Sequence, residues 1–231
     1  MSRGSELLKS ISVPDDEKRS EKLWSEIESL LATLQLTMAE VDAFAVCVGP
    51  GGFTGLRVGI AAVKGFAVAL NKPVIGVTSL EAAAFSAGPA PYVSAMVNAY
   101  KSEVYSQLFH YGDSGSRDLP VAVNDPLVSS FEAALDRLRD LKEVVLTGDG
   151  VETGIEVIER VSRASRHVRW EVKRSNHLVA EDIARIGQVR YERGDVERPE
   201  QLKACYVRPS EAEIKLSLGL LGSKIKRSMS E

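Results

Sequence analysis

The sequence predicts an α/β fold, and three observations carry that expectation. Phe44–Val48 and Val74–Val77 are continuously apolar, as strands buried on both faces are. Helical patterns alternate with these runs, the order that gives a parallel pair. A glycine-rich segment, Gly49-Pro50-Gly51-Gly52-Phe53-Thr54-Gly55, joins the first run to an apolar, small-residue helix.

In chain order, Leu7–Val13 reads as a short strand ending at Pro14. A charged turn over Pro14–Lys18 follows. Ser20 then offers an N-cap with Glu21 in the first turn, and Leu23, Ile27, Leu30, Leu31 and Leu34 recur at helical spacing. Thr37-Met38-Ala39-Glu40 fits a capping box. The next helix runs from about Thr54 to Leu70 and stops before Asn71-Lys72-Pro73. A strand at Val74–Val77 and a short helix at Leu80–Phe85 complete the unit.

Ala87-Gly88-Pro89-Ala90-Pro91 marks a boundary, which gives expected lobes at 1–88 and 89–213 and a mobile tail at 214–231. Beyond it, Tyr92–Asn98 and Glu103–Tyr111 alternate as a hairpin around Ala99-Tyr100-Lys101-Ser102. Phe131–Leu141 reads as an amphipathic helix, Val144–Leu146 as a strand ending at Thr147-Gly148-Asp149-Gly150, and Val151–Val161 as a helix. Val168–Val172 is an alternating strand, Ala180–Glu192 a helix closed by Gly194, and Cys205–Arg208 a last strand.

At 231 residues, with 44% apolar and 26% charged side chains, the chain is long enough for a substantial core. A net charge of −3 gives no global attraction to nucleic acid or to an acidic membrane. The two cysteines, Cys47 and Cys205, suggest neither a disulfide framework nor a zinc site. Met1–Ser10 lacks the apolar core of a signal peptide, and Val58–Leu70 is short for a membrane span and carries Lys64. The expected location is cytoplasmic.

The glycine loop is the leading candidate for chemistry. A turn that opens a helix converges N–H groups and the positive end of the helix dipole on one spot, which favours phosphate or carboxylate. Gly49, Gly51, Gly52, Thr54 and Arg57 are the candidate anion or nucleotide contacts. The loop is not a P-loop, because no Gly-Lys-Ser/Thr follows, and Thr54 breaks the dinucleotide fingerprint. Close helix packing explains the same glycines equally well. Gly59 and Gly65, inside the helix, each cost roughly 1 kcal/mol relative to alanine, so close approach by another helix is the natural reason for them. His110, His167 and His177 form no metal-ligand spacing. Arg163, Arg166, Arg169, Lys173 and Arg174 around Trp170 read as a solvated strand face rather than an RNA contact. The residues contain no self-sufficient catalytic set.

GPGGFTGLRVGIAAVKGFAVAL followed by KPVIGVTSLEAAA resembles the TsaB (YeaZ) family, with its GPGSFTGLRIG-like and PLIGVSSLEALA-like segments. Arg19–Leu23 stands where that family often has His-Ser-Glu. Asn98–Tyr105 is similar to its DARxGEVY hairpin, Thr147–Gly150 to its GDG turn and Tyr206-Val207-Arg208 to its YLR motif.

The resemblance implies an actin-like, RNase H-type fold of two lobes, each with a mixed sheet. It implies a non-catalytic scaffold for N6-threonylcarbamoyladenosine (t6A) at position 37 of tRNAs reading ANN codons. The expected partners are a TsaD-type catalytic paralogue, a TsaE-type ATPase, and tRNA through the complex alone. Metal and ATP belong to those partners, and no cofactor to this chain. The implied interface is a bundle of the first two helices of each protein. Here it would use Leu23, Ile27, Leu30, Leu31, Leu34, Gly55, Gly59, Ala62, Phe66 and Ala69, a surface that also suits a homodimer.

The sequence departs from the family at its beginning. Members usually open with an ILAIDT-like strand and a CSVAL-like strand, whereas Met1 stands just before the expected third strand. The first lobe is therefore expected to be truncated, with a natural start upstream or poor stability alone. Losing the acidic loop of that hairpin argues against ATPase activity. The rival readings are a TsaD-like catalyst, a small-molecule kinase of the actin-like superfamily and a glycoprotease-like enzyme. Each lacks the residues it would need.

Overall fold

A computed structural model describes residues 1–13, 19–112, 119–164, 169–174 and 179–208. It opens with a small antiparallel hairpin, β1 (Ser2–Arg3) and β2 (Glu6–Leu7). The longer strand expected over Leu7–Val13 does not form. The backbone closes back on itself instead, with Leu8 and Lys9 N–H donating to the Met1 carbonyl. Helix α1 (Arg19–Leu34) leads to a 3₁₀ turn at Met38–Glu40. The Glu40 carboxylate accepts from the Thr37 N–H and hydroxyl at 2.8 Å, which holds its pKa below the usual value.

β3 (Phe44–Gly49), α2 (Phe53–Leu70) and β4 (Val74–Thr78) form the parallel β-α-β step, with Phe44 opposite Val74 and Cys47 opposite Val77. Even-numbered Phe44, Val46 and Val48 pack with Ile60, Val63 and Ala67 of α2. Odd-numbered Ala45 and Cys47 join Ile75 and Val77 against Ile183 and Ile186 on the other face. A strand with helices on both faces has no polar side, which is why the run is continuously apolar.

α3 (Ser79–Ala87) ends before the second sheet begins. That sheet contains β5 (Val93–Asn98), β6 (Glu103–His110), β7 (Val121–Ala122), β8 (Leu127–Ser130), β9 (Glu143–Thr147) and β10 (Arg169–Lys173). Its order is β10-β9-β5-β6-β7, with β8 also on β6. β10, β9 and β5 are parallel, and β6 runs antiparallel to β5. One face buries Met96, Val104 and Leu146 under α4 (Phe131–Asp136), α5 (Asp149–Thr153) and α6 (Ile155–Ala164). The other buries Val93, Ala95 and Val145 under α3.

Three expected elements differ. α4 stops at Asp136 and continues as turns, closed by Leu138 N–H to Leu135 and Leu141 N–H to Leu138. The helix expected over Val151–Val161 is two helices broken at Gly154, which lies so close to Phe131 that a Cβ would come within 2.3 Å of the ring. Cys205–Arg208 is not a strand. It is held by Cys205 N–H donating to the Val48 carbonyl at 2.7 Å, by Tyr206 stacking on Phe53 and by the Arg208–Glu103 pair.

α7 (Val179–Glu192) returns to the first sheet, where a Cβ on Gly187 would lie 2.6 Å from that of Ala45. Its Arg190 donates to the Gly76 carbonyl and to Glu81 of α3, each at 2.7 Å. Glu81 is 7% exposed. Burial raises its pKa, and Arg190 opposes that shift. A carboxylate with a raised folded pKa loses stability as pH climbs from its ordinary value of 4.5 through the folded value. Breaking such a pair leaves an uncompensated buried charge. Arg190→Ala should therefore destabilise the fold by about 3 kcal/mol at neutral pH. The deficit should shrink as the pH is lowered and Glu81 takes up a proton, and chemical denaturation at neutral and acid pH checks this.

Candidate functional site

α1 meets α2 through aromatic rings. Trp24 stands edge-on to Phe66, with centroids 5.0 Å apart, and Phe66 stacks on Phe44 at 5.7 Å. Leu31 of α1 is buried, Leu23, Ile27, Leu30 and Leu34 are half-buried, and Trp24 is 54% exposed. Trp24 escaped the sequence reading because it is offset from the leucine stripe. Trp24, Ile27, Leu31 and Leu34 nevertheless recur at spacings of three, four and three, which is a helical signal.

α2 is 18 residues long with mean hydropathy 1.5, and only 17% of it is buried. It is thus longer than the apolar stretch read from Val58 to Leu70, and by length and composition alone it would cross a membrane. Leu56, Ile60 and Ala67 are buried, with Ile60 and Ala67 packed on the sheet and Ala62 buried separately. Gly59 turns toward β3, where a Cβ would sit 3.8 Å from Val46. Phe66 is half-buried, whereas Gly55, Gly65 and Ala69 are exposed. A Cβ at Gly55 or Gly65 would meet nothing within 4 Å. Contacts among the described residues therefore do not offset the helix cost of those two glycines.

The loop before α2 divides by role. Gly49 has φ +102°, and a Cβ there would lie 2.9 Å from Leu56 Cδ1 and 3.1 Å from the Cys205 carbonyl oxygen. Its glycine is a requirement of the turn. At Gly51 and Gly52 a Cβ would meet nothing within 4 Å. Gly52 caps α2 without a side-chain hydrogen bond, and the Ser79 hydroxyl secures the loop by donating to the Pro50 carbonyl at 2.5 Å. Thr54 is exposed. Arg57 lies over the Phe53 ring at 3.9 Å and donates through Nε to the Tyr206 hydroxyl at 3.3 Å. Tyr206 stacks on Phe53 at 4.8 Å.

The hairpin between β5 and β6 carries unusual backbone. Tyr100, Lys101 and Ser102 have φ of 59°, 53° and 61°. Each such non-glycine residue costs on the order of 1–2 kcal/mol. Asn98 Oδ1 accepts from Tyr100 N–H at 2.8 Å, and Asp149 Oδ1 accepts from Asn98 N–H at 3.0 Å. The Gly148–Gly150 turn is thus an anchor for the hairpin. Gly148 has φ +102°, and a Cβ there would come within 2.1 Å of the Met96 carbonyl oxygen.

Other candidates resolve into ordinary surface. Arg163 pairs with Glu159, Arg169 with Glu143, and Lys173 with Glu171 and the Ala87 carbonyl, while Arg166 lies outside the described residues. His110 ends β6, and His167 and His177 also lie outside those residues. Among the described residues no group of three or more His, Cys, Asp and Glu is placed to hold a metal. Burial raises the thiol pKa of Cys47 and of Cys205, which leaves both less reactive.

Two sheets of this topology, with α3 between them, define an α/β protein of the actin-like class. The TsaD family model, described as tRNA N6-adenosine threonylcarbamoyltransferase, matches residues 13–134, more than half the chain. The chain belongs to this family. It is 42% identical over 82 residues to the tRNA threonylcarbamoyladenosine biosynthesis protein TsaB of Haemophilus influenzae, covering 34% of this chain and 35% of that protein. It is 30% identical over 101 residues to TsaB of Escherichia coli, covering 42% and 44%. An uncharacterized protein of Mycobacterium tuberculosis, Rv3421c, is 46% identical over 68 residues, covering 29% and 32%. The matches thus span about a third to under half the length of these relatives. The solved structure of YeaZ from Pseudomonas aeruginosa shares the fold, with TM-score 0.61, 24% identity, and coverage of 85% of this chain and 86% of that one.

The loop geometry separates two kinds of glycine. Gly49→Ala should cost about 2 kcal/mol through backbone strain and the Leu56 contact. Gly51→Ala should stay within about 0.5 kcal/mol of the parent. Thermal melts of the two variants measure the difference.

Proposed function

We propose that the chain is a non-catalytic scaffold or activator subunit for t6A formation at position 37 of tRNAs reading ANN codons, acting through a TsaD-type catalytic partner. One observation carries this reading. α2 is apolar, flanked by the half-buried stripe of α1, and leaves its outer side uncovered, with open space over Gly55 and Gly65. A helix this apolar is ordinarily buried, and small residues let a partner helix approach closely. The named relatives that bear t6A biosynthesis in their descriptions support the pathway.

On this reading the contact surface is half-buried Leu23, Ile27, Leu30, Leu34 and Phe66 with exposed Gly55 and Ala69. Buried Leu31 and Ala62 support it from beneath, and Gly59 sets how closely α2 sits on β3. Metal and ATP chemistry belongs to the partner subunits, including a TsaE-type ATPase, and the assembly is cytoplasmic. The same helices would also serve a homodimer that forms when the partner is absent. Anion binding at Gly49–Gly52, Thr54 and Arg57 is a secondary role.

Reconstitution with a TsaD-type protein, a TsaE-type ATPase, a threonylcarbamoyl-adenylate synthase, threonine, bicarbonate, ATP and tRNA should yield modified adenosine only when this chain is present. Equal yield without it would sink the scaffold reading. Gly55→Trp should weaken partner binding by about a hundredfold, the scale of an interface hot spot. Its melting temperature should hold, because no described residue occupies that space. Calorimetric titration against the partner reads the first arm, and a thermal melt of the free variant reads the second.

A further inference from the structure

We propose that this chain itself contacts single-stranded RNA along a strip that runs from the β5–β6 hairpin tip to Tyr206. The proposal rests on the function above and goes beyond it, because there tRNA is reached through the assembly rather than by this subunit.

The strip is continuous through named contacts. At one end Tyr100 is 70% exposed on the left-handed turn, beside exposed Lys101. The turn is fixed by Asn98, by Asp149 and by Glu103 N–H donating to the Tyr100 carbonyl at 3.0 Å. Glu103 then pairs with Arg208 across 105 positions of sequence. Two residues before Arg208, Tyr206 is 47% exposed and stacks on Phe53. Arg57 closes the strip, over the Phe53 ring and bonded to the Tyr206 hydroxyl.

Two features favour RNA over a protein. First, the strip sets two exposed aromatic rings, Tyr100 and Tyr206, beside two exposed cations, Lys101 and Arg57, with the half-buried Arg208–Glu103 pair between them. Unpaired bases stack on aromatic rings and on guanidinium planes, and the phosphates between them sit on cations. Second, the exposed side chains of the strip include no Leu, Ile or Met, whereas protein docking has its own aliphatic surface on α2. Glu103 is engaged by Arg208, and Asp149 is turned to the Asn98 amide. The turn's hydrogen-bonded backbone further suits a stacking platform, because little backbone freedom remains to be lost on binding.

The test uses the full chain, alone and bound to its TsaD-type partner. The probe is a fluorescein-labelled RNA stem-loop, with the same RNA annealed to its complement as duplex control. Anisotropy should show preference for the stem-loop. Tyr100→Ala should weaken that binding about tenfold. Tyr206→Ala should weaken it comparably, while Tyr206→Phe, which keeps the stack, should retain most of it. Arg57→Ala should lower the slope of log affinity against log salt by about one. Partner affinity and partner-dependent t6A yield on excess tRNA report separately on the scaffold reading. Three results would overturn the proposal: no saturable stem-loop binding in either state, Tyr100→Ala binding RNA like the parent, or Tyr100→Ala losing partner affinity instead. The last would make the strip a protein contact.

Discussion

The structure hinges on a short helix that belongs to two cores at once. α3 is buried on nearly every side, with Leu80, Ala83, Ala84 and Ala87 against the second sheet and Ala82 against the first. A helix in that position has almost no solvated face on which to place charge, Ser86 being its one exposed residue, yet it carries buried Glu81. Arg190 reaches in from α7, satisfies Glu81 and caps the Gly76 carbonyl of β4 with the same guanidinium. One side chain thereby ties α3, α7 and the first sheet together. Arginine suits this because its planar fork serves two acceptors at once. The two sheets are fixed relative to each other by this packing, and the two exposed surfaces inherit their geometry from it.

Those surfaces differ in chemistry. On the first sheet, α2 spends its best apolar residues on β3 and leaves Val68, glycine and alanine outward. Association there would be driven by apolar burial and close backbone approach. Along the seam where the C-terminal segment returns, Tyr206 and Arg208 join Phe53, Arg57 and Glu103, and the contacts are stacking and charge. A scaffold that holds a catalyst with one face and presents polar aromatic surface with another needs this kind of separation.

Much of the fold was legible in the sequence. Strands buried on both faces read as unbroken apolar runs, so β3 and β4 were visible, and the spacing of Leu23 to Leu34 marked α1. The misses share a cause in tertiary contact. Gly154 breaks a helix because the Phe131 ring leaves no room for a Cβ, and neither residue signals the other in sequence. Cys205–Arg208 has strand-like composition but is held by Phe53 and Val48, more than 140 positions away. The role of Gly49 separates from that of Gly51 and Gly52 only once the Leu56 and Cys205 contacts are known. Trp24 was present as a spacing signal and was overshadowed by the leucines beside it.

The central claim is that α2 is a docking helix whose outer side is covered only in a complex. Hydrogen–deuterium exchange of the full chain, with and without a TsaD-type partner, addresses it most directly. The account predicts new protection concentrated in Phe53–Leu70 and Arg19–Leu34, with the second sheet unchanged. Protection confined to the second sheet, with α2 exchanging as in the free chain, would contradict it.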